Sequence, residues 1–189
     1  MSIFLHHRRI GGPAEVVVGL RSSEQGPQAV MLNQVLLSRV GVVESVERAL
    51  AEHNVCLITG PSGSGKSCLL HELSQRCLDR CQKPLWISAQ QQTLSLLGTI
   101  SGKPDLIIID ALEEWLTRFG PEVVGLHCRG LVARGFKVLI SCRRRYWDNL
   151  ANPSVFDPPQ VRLEKLNLEE QMEFIRRYSE VFAVQGISS

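Results

Sequence analysis

The chain has 189 residues, a formal net charge of +2 and balanced numbers of acidic and basic side chains. A chain of this length accommodates one α/β domain with a substantial core, but hardly two. The near-neutral charge argues against a global electrostatic field that attracts nucleic acid or a membrane surface. Because the longest apolar runs have the length of strands, we expect no membrane-spanning helix.

The cysteines and the first twenty residues indicate the compartment. Six cysteines are spread along the chain without a C-x-x-C pair, and several lie within apolar segments. We interpret them as small buried hydrophobic residues in a reducing environment, and not as ligands of a zinc site. The first twenty residues include His6, His7, Arg8 and Arg9 and lack the apolar core of a signal peptide. The sequence therefore predicts a cytoplasmic protein.

The apolar pattern predicts strands that alternate with helices, after a weakly patterned lead-in over residues 1–35. Short continuous apolar runs suit buried strands, and apolar residues three or four apart suit amphipathic helices. Gly135 is placed to end a helix, and Asn167 with Glu170 forms a capping-box pattern. In chain order, the predicted elements are strand 15–20, helix 42–50, strand 55–58, a helix from 66, strand 84–89, helix 90–100, strand 106–110, helices 113–119 and 121–134, strands 137–141 and 161–166, and a helix from 167.

The segment 60–67 fits the phosphate-binding pattern G-x-x-x-x-G-K-[ST] (Walker A) at every fixed position, between a predicted strand and a predicted helix. Its glycines let backbone amides approach phosphate oxygens, and the helix adds free N–H groups and its positive dipole end. We expect Lys66 to reach the β- and γ-phosphates and the Ser67 hydroxyl to bind Mg²⁺. The predicted nucleotide-binding residues are Gly60, Pro61, Ser62, Gly63, Ser64, Gly65, Lys66, Ser67 and Cys68.

Alternating strands and helices around a phosphate loop predict an α/β fold, namely the three-layer sandwich of P-loop NTPases with a five-stranded, mainly parallel sheet. A further strand lies between the loop and strand 106–110, as in additional-strand ATPases. The phosphate site is expected at the carboxyl ends of the strands. We expect a lead-in over 1–35, an NTPase domain over 36–166 and a further helical segment over 167–189.

Acidic residues follow the buried strand 106–110. Beside a phosphate loop, Asp110 is expected to act on the Mg²⁺ side (Walker B), the alternative being an aspartate that caps the next helix. Glu113 and Glu114 can polarise the attacking water, or can simply suit the start of a helix. We favour Glu114 for the water and Glu113 for support of the metal shell. The predicted metal ligands are Ser67 and Asp110.

Three arginines, Arg143 to Arg145, follow strand 137–141. An arginine just past the end of a strand beside the phosphate loop can contact the γ-phosphate, and we assign this role to Arg143. Arg144 and Arg145 are interpreted as a solvated basic turn, with contact to nucleic acid or to an acidic partner as the alternative. The predicted catalytic residues are Lys66, Asp110, Glu113, Glu114 and Arg143.

These motifs together resemble the NACHT-type branch of the STAND NTPases, signal-transducing relatives of the AAA+ ATPases. That branch combines a full phosphate loop, an apolar strand that ends in D-[GAS]-h-[DE]-E, and a strand that runs into T-S-R. The last two correspond to residues 110–114 and 141–143. Segment 163–178 is similar to the passage into the helical lid, and 38–50 to the region that cradles the adenine. The resemblance thus implies that 167–189 is the start of a truncated helical lid. The chain departs from the pattern at Cys142, where a small hydroxyl residue is usual, and it has no proline after Arg143.

The resemblance implies a switch that binds ATP and Mg²⁺, hydrolyses ATP slowly, and changes conformation or self-association with its nucleotide. A nucleic-acid-stimulated ATPase or loader is an alternative, for which only segment 143–147 offers basic residues interleaved with aromatic ones. A small-molecule kinase is a second alternative, although no acceptor-pocket motif is visible. We therefore expect ATP and ADP as ligands and a protein partner or a second copy, rather than nucleic acid or a membrane.

Overall fold

The computed structural model describes residues 39–150 and 155–184. Helices and strands alternate through these residues in the predicted order, while the candidate strand at 15–20 lies outside them. In chain order the elements are α1 (Val40–His53), β1 (Val55–Gly60), α2 (Lys66–Asp79), β2 (Pro84–Ser88), a 3₁₀ helix (Leu94–Gly98), β3 (Leu106–Asp110), α3 (Glu113–Phe119), α4 (Pro121–Ala133), β4 (Val138–Arg143), α5 (Arg144–Leu150), β5 (Gln160–Arg162) and α6 (Leu168–Val184).

The five strands form one parallel sheet in the order β2-β3-β4-β1-β5. Strand β1, between β4 and β5, is buried along its whole length and pairs with β4 from Val55 opposite Val138 to Gly60 opposite Arg143. Because all strands run in the same direction, β1, β3 and β4 end at the same edge of the sheet. The predicted α/β fold with a five-stranded parallel sheet is confirmed.

Two clusters of buried apolar side chains cover the two faces of the sheet. One cluster joins α1 and α2 to the sheet through residues such as Val46 and Leu70, and the other joins α3, α4 and the 3₁₀ helix. Each fully buried Leu or Ile contributes about 1.5–3 kcal/mol through removal from water. In the second cluster, Trp115 also donates its indole N–H to the carbonyl of Gln92, 2.8 Å away. The ends of the strands are therefore held by well-packed layers on both sides.

Several element boundaries differ from the predicted ones. β1 extends to Gly60, because its pairing with β4 continues that far. β5 ends at Arg162 instead of residue 166, because its partner β1 turns into the glycine loop. The last contact between these two strands is the hydrogen bond from the Leu163 N–H to the Thr59 carbonyl, at 2.7 Å. The predicted helix at 90–100 is only a short 3₁₀ helix.

The interpretation of Arg144 and Arg145 as a turn is wrong, because α5 begins at Arg144. The side chains of both arginines are exposed, as expected, but Trp147 on the same helix is buried. The Trp147 ring meets the Phe156 ring edge to face, with 6.4 Å between their centres. Tertiary packing of this kind, more than local propensity, stabilises a short helix.

Two predicted helix-end signals are confirmed. Gly135 follows α4 with a φ of +83°. At the start of α6, the Asn167 N–H donates to Glu170 Oε2 at 2.7 Å, and the Glu170 N–H donates to Asn167 Oδ1 at 2.9 Å. This reciprocal pair satisfies N–H groups that have no partner inside the helix. Among the helices of residues 39–150 and 155–184, none has the length and apolarity that a membrane span requires.

Candidate functional site

The loop between β1 and α2 has a backbone that requires glycine. Gly63 and Gly65 have φ values of +76° and +87°, in a region that side chains with a Cβ rarely adopt. At Gly60, an added Cβ would lie 2.3 Å from the Leu163 carbonyl oxygen and 2.7 Å from Ser64 Oγ. The loop can therefore keep its course only with glycine at these positions.

Lys66 begins α2 and folds back over the loop. Its Nζ donates to the carbonyl oxygens of Gly60, at 3.0 Å, and Pro61, at 2.8 Å. Burial lowers the pKa of Lys66, and the nearby Glu113 carboxylate acts in the opposite direction. Its direct partners are neutral carbonyl groups and not carboxylates, so an anion bound at the loop can pair with this side chain.

The polar groups of the loop fit a phosphate. Ser64 is buried, and its Oγ has no hydrogen-bond partner among the described residues. The N–H groups in the first turn of a helix also lack partners within that helix. A buried polar group without a partner costs stability, and phosphate oxygens are acceptors that satisfy several donors together. The donors of this loop are therefore suited to an anionic ligand.

Asp110 lies where β3 ends, beside the start of α2. Its Oδ1 accepts hydrogen bonds from Ser67 Oγ at 3.3 Å and from Ser141 Oγ at 2.5 Å. Hydroxyl and carboxylate oxygens, completed by phosphate oxygens and water, are the donor set that Mg²⁺ prefers. The chemistry of Ser67 and Asp110 thus fits the cation that accompanies a nucleotide.

Glu113 and Arg143 link the ends of β3 and β4. Glu113 Oε1 lies 3.0 Å from Arg143 Nε, and Glu113 Oε2 accepts the backbone N–H of Arg143 at 3.1 Å. The Glu113 side chain is 6% exposed, whereas that of Arg143 is 45% exposed. The carboxylate is thus fixed from two directions, while the guanidinium remains accessible to a ligand.

Five of the predicted residues therefore come together at one edge of the sheet: Lys66, Ser67, Asp110, Glu113 and Arg143. Glu114 is half-buried and takes no part in the Glu113–Arg143 contact, since neighbouring positions on a helix face different directions. Cys142 is buried beside Glu113. Burial, followed by the Glu113 charge, raises the pKa of its thiol, which is therefore neutral at pH 7.

One polar residue at this edge was given no role of its own in the sequence analysis, although it lies in the segment 141–143 that resembles T-S-R. Ser141 lies on β4 and contacts Asp110, although the two are thirty-one positions apart in the chain. The available signal was a hydroxyl residue near the end of a strand that follows the strand of Asp110. Such a residue can be predicted to contact Asp110 only once the strand order is known to place β3 beside β4.

Residues 39–114, which run from the start of α1 to Glu114, match the model of a family described as Novel STAND NTPase 3. This match covers 76 of the 189 residues. The matched part contains the glycine loop and Asp110, whereas Arg143 lies beyond it. No curated protein matches the chain.

The fold of this chain is similar to that of several solved structures. The ADP complex of Hsp104 from S. cerevisiae has a TM-score of 0.61 at 16% identity over 82% of this chain and 27% of that chain. AMPPCP-bound DnaA from Aquifex aeolicus has a TM-score of 0.57 at 18% identity over 80% and 55%. A DNA replication initiation factor gives 0.59 at 20% over 80% and 54%. The chain thus spans about half of the replication proteins and a smaller share of Hsp104.

Proposed function

We propose that the chain is a STAND-type NTPase domain that binds ATP with Mg²⁺, hydrolyses it slowly, and acts as a switch whose conformation or self-association follows its nucleotide. The observation that carries this proposal is the convergence of a glycine loop, a lysine, a hydroxyl–aspartate pair and a glutamate–arginine pair at one edge of the sheet. This set supplies groups for the phosphates, for the cation and for the γ-phosphate. The resemblance to signalling STAND proteins supports the switch.

In this proposal, the loop amides and Lys66 bind the phosphate oxygens, while Ser67 and Asp110 hold the cation. Bound Mg²⁺ would neutralise phosphate charge and orient the phosphates. Cys68, one residue further along α2, lies half-buried within the phosphate-binding segment.

We propose different roles in hydrolysis for Glu113 and Glu114. Glu113 is engaged by Arg143, so we assign it the support of the site and of this arginine. Glu114, whose carboxylate is outside that pair, is assigned to polarise the attacking water. A γ-phosphate would compete with Glu113 for the exposed side of Arg143, which provides a way to report the presence of the triphosphate.

The beginning of α6 is proposed to be the start of a helical lid on the domain formed by residues 36–166. Arg39, just before α1, donates from Nη1 to the Glu164 carbonyl at 2.7 Å, and its Nη2 lies 4.0 Å from Glu170 Oε2. These contacts connect the segment before the phosphate loop to the base of α6. Movement of the lid with the nucleotide would therefore be transmitted to α1.

A nucleic-acid-stimulated ATPase is the second candidate. Similar structures include DnaA bound to AMPPCP and single-stranded DNA, and the Aeropyrum pernix ORC1 protein in complex with DNA. In this chain, however, Arg143 is paired with Glu113, and Arg144 lies 3.5 Å from Asp148 and 3.8 Å from Glu164. These carboxylates weaken the attraction of the basic segment for phosphate backbones. The switch is therefore the better supported function.

The decisive assay is ATP turnover by the purified chain with Mg²⁺, with and without single-stranded DNA or RNA. We expect slow turnover that nucleic acid does not change. Glu114→Gln should lower turnover by about 10²- to 10⁴-fold with nucleotide binding retained, and Glu122→Gln, an exposed acid on α4, should have no effect.

Two results would change these assignments. Normal turnover by Glu114→Gln combined with its loss in Glu113→Gln would move the water-activating role to Glu113. Strong stimulation of the wild type by DNA or RNA would favour the second candidate over the switch.

A further inference from the structure

The backbone ladder between β3 and β4 ends immediately before the candidate metal site. Its last pair is Ile109 with Ile140, and the next position of the same register places Asp110 beside Ser141. The chain then turns at Ala111, whose φ of +61° is uncommon for a residue with a Cβ. At this position the two strands are joined through a side chain.

The Ser141 hydroxyl joins β4 to the end of β3, because it donates one hydrogen bond and accepts another. It donates to Asp110 Oδ1 at 2.5 Å and accepts the Ala111 N–H at 3.0 Å. The Ser141 carbonyl accepts the Leu112 N–H at 2.9 Å, which extends the connection by one residue. Because Ser141 is 1% exposed, water has little access to replace these bonds.

We propose that Ser141 is a positioning residue for the Mg²⁺ side of the nucleotide site. Its hydroxyl fixes the Asp110 carboxylate toward Ser67 and holds the left-handed turn at Ala111 that leads to Glu113. Both side-chain bonds of the carboxylate go to Oδ1, at 2.5 Å from Ser141 and 3.3 Å from Ser67, and Oδ2 takes part in neither. This proposal rests on the proposed function, since it assigns a residue to the same site.

The position of Ser141 distinguishes its effect from that of the phosphate loop. The Ser141 hydroxyl bonds to Asp110 and Ala111, whereas Lys66 bonds to the carbonyl groups of Gly60 and Pro61. Removal of its hydroxyl should therefore weaken the contribution of Mg²⁺ to nucleotide binding and leave metal-free binding unchanged. Groups that orient a metal ligand typically change metal affinity by about 10- to 100-fold.

The test uses the full chain and a fluorescent, non-hydrolysable ATP analogue, whose affinity is measured in EDTA and along a Mg²⁺ titration. Ser141→Ala removes the hydroxyl. Ser141→Cys keeps a side chain of similar size with only a weak donor, and Ser141→Thr keeps the hydroxyl. Thr59→Val is the matched control on the neighbouring strand β1. Thr59 is equally buried, and its hydroxyl has no partner among the described residues.

We expect Ser141→Ala and Ser141→Cys to require about 10- to 100-fold more Mg²⁺ for the same gain in affinity. Their affinity in EDTA should equal that of the wild type, and Ser141→Thr and Thr59→Val should behave as the wild type does. Wild-type Mg²⁺ dependence in both Ser141→Ala and Ser141→Cys overturns the proposal, as does an equal loss of affinity with and without Mg²⁺. Failure of the wild type itself to bind the analogue would instead contradict the proposed function.

Discussion

The carboxyl edge of the sheet and helix α6 are stabilised in opposite ways. At the edge, polar groups such as Glu113 and Ser141 are buried and bonded across neighbouring strands. On α6, the apolar side chains of Leu168, Met172 and Ile175 are 73%, 61% and 57% exposed. The candidate site is therefore held by contacts between elements of the sheet edge, whereas the described residues provide no cover for the apolar stripe of α6.

Their charged pairs differ in the same way. Glu113, at the start of α3, pairs with an arginine at the end of β4, thirty positions away. On α6, Arg176 lies 2.7 Å from Glu173 and 2.5 Å from Glu180, within turns of its own helix. Solvent and salt screen exposed pairs of this kind, so they contribute little to tertiary stability. The edge is thus fixed by long-range contacts, and α6 by local ones.

The largest expected contrast between the two regions is in packing. Trp115→Ala removes a buried ring next to the site and should lower the free energy of unfolding by about 3–5 kcal/mol. Met172→Ala should change it by less than about 0.5 kcal/mol, because that side chain is exposed. Urea denaturation measures both. Similar losses for the two variants would mean that α6 is packed against the rest of the molecule in solution.

An added methyl group tests how closely the edge is fitted. Gly60→Ala places a Cβ against the Leu163 carbonyl and should cost about 1–3 kcal/mol of unfolding free energy. Gly130→Ala, on the surface of α4, meets no atom within 4 Å and should instead stabilise the chain by about 0.5–1 kcal/mol. Thermal and urea unfolding compare the two variants. A neutral Gly60→Ala would show that the loop relaxes easily.

The two charged pairs can be compared by neutralising one acid in each. Glu113→Gln keeps an acceptor for the Arg143 N–H but loses the charge, which should cost about 1–2 kcal/mol because Arg143 is partly solvated. Glu173→Gln on α6 should leave the unfolding midpoint unchanged in buffers of physiological ionic strength. Equal effects in urea denaturation would contradict the distinction between buried and exposed pairs.

The smallest effect concerns the titration of Glu173. Hydrogen bonds from Arg176 and Arg177 lower the pKa of this carboxyl from 4.5 to about 2. Any stability it contributes is therefore present above pH 4.5 and is lost as the pH falls toward 2. A carboxyl-carbon NMR titration should show a midpoint well below 4.5 that rises with added salt. An unshifted midpoint at low salt would mean that these contacts do not persist in solution.

The order of the elements could be predicted because each has a clear apolar period and the glycine loop fixes its neighbours. Helix α5 could not, since Arg144 and Arg145 dominate its local sequence and its stabilising contact, Trp147 with Phe156, is tertiary. An apolar pair at 147 and 150 was the available helical signal. Segment boundaries such as the end of β5 depend on the partner strand and not on local propensity.

The residue types of the candidate site were predictable from motifs, but the contacts that each residue makes were not. Neither spacing nor composition tells which of Glu113 and Glu114 faces Arg143, because this depends on where α3 begins. Ser141 was missed for a related reason. Its meaning comes from the parallel register with β3, which brings together residues that the sequence separates.

The central claim is that the carboxyl edge is a preformed site for ATP and Mg²⁺. The most direct test is calorimetric titration of a slowly hydrolysed ATP analogue with Mg²⁺ into the wild type, Lys66→Ala and the control Lys83→Ala, an exposed lysine outside the site. The account predicts saturable binding by the wild type and by Lys83→Ala, and about 10- to 100-fold weaker binding by Lys66→Ala. Absence of binding by the wild type, or equal affinity in Lys66→Ala, would contradict it.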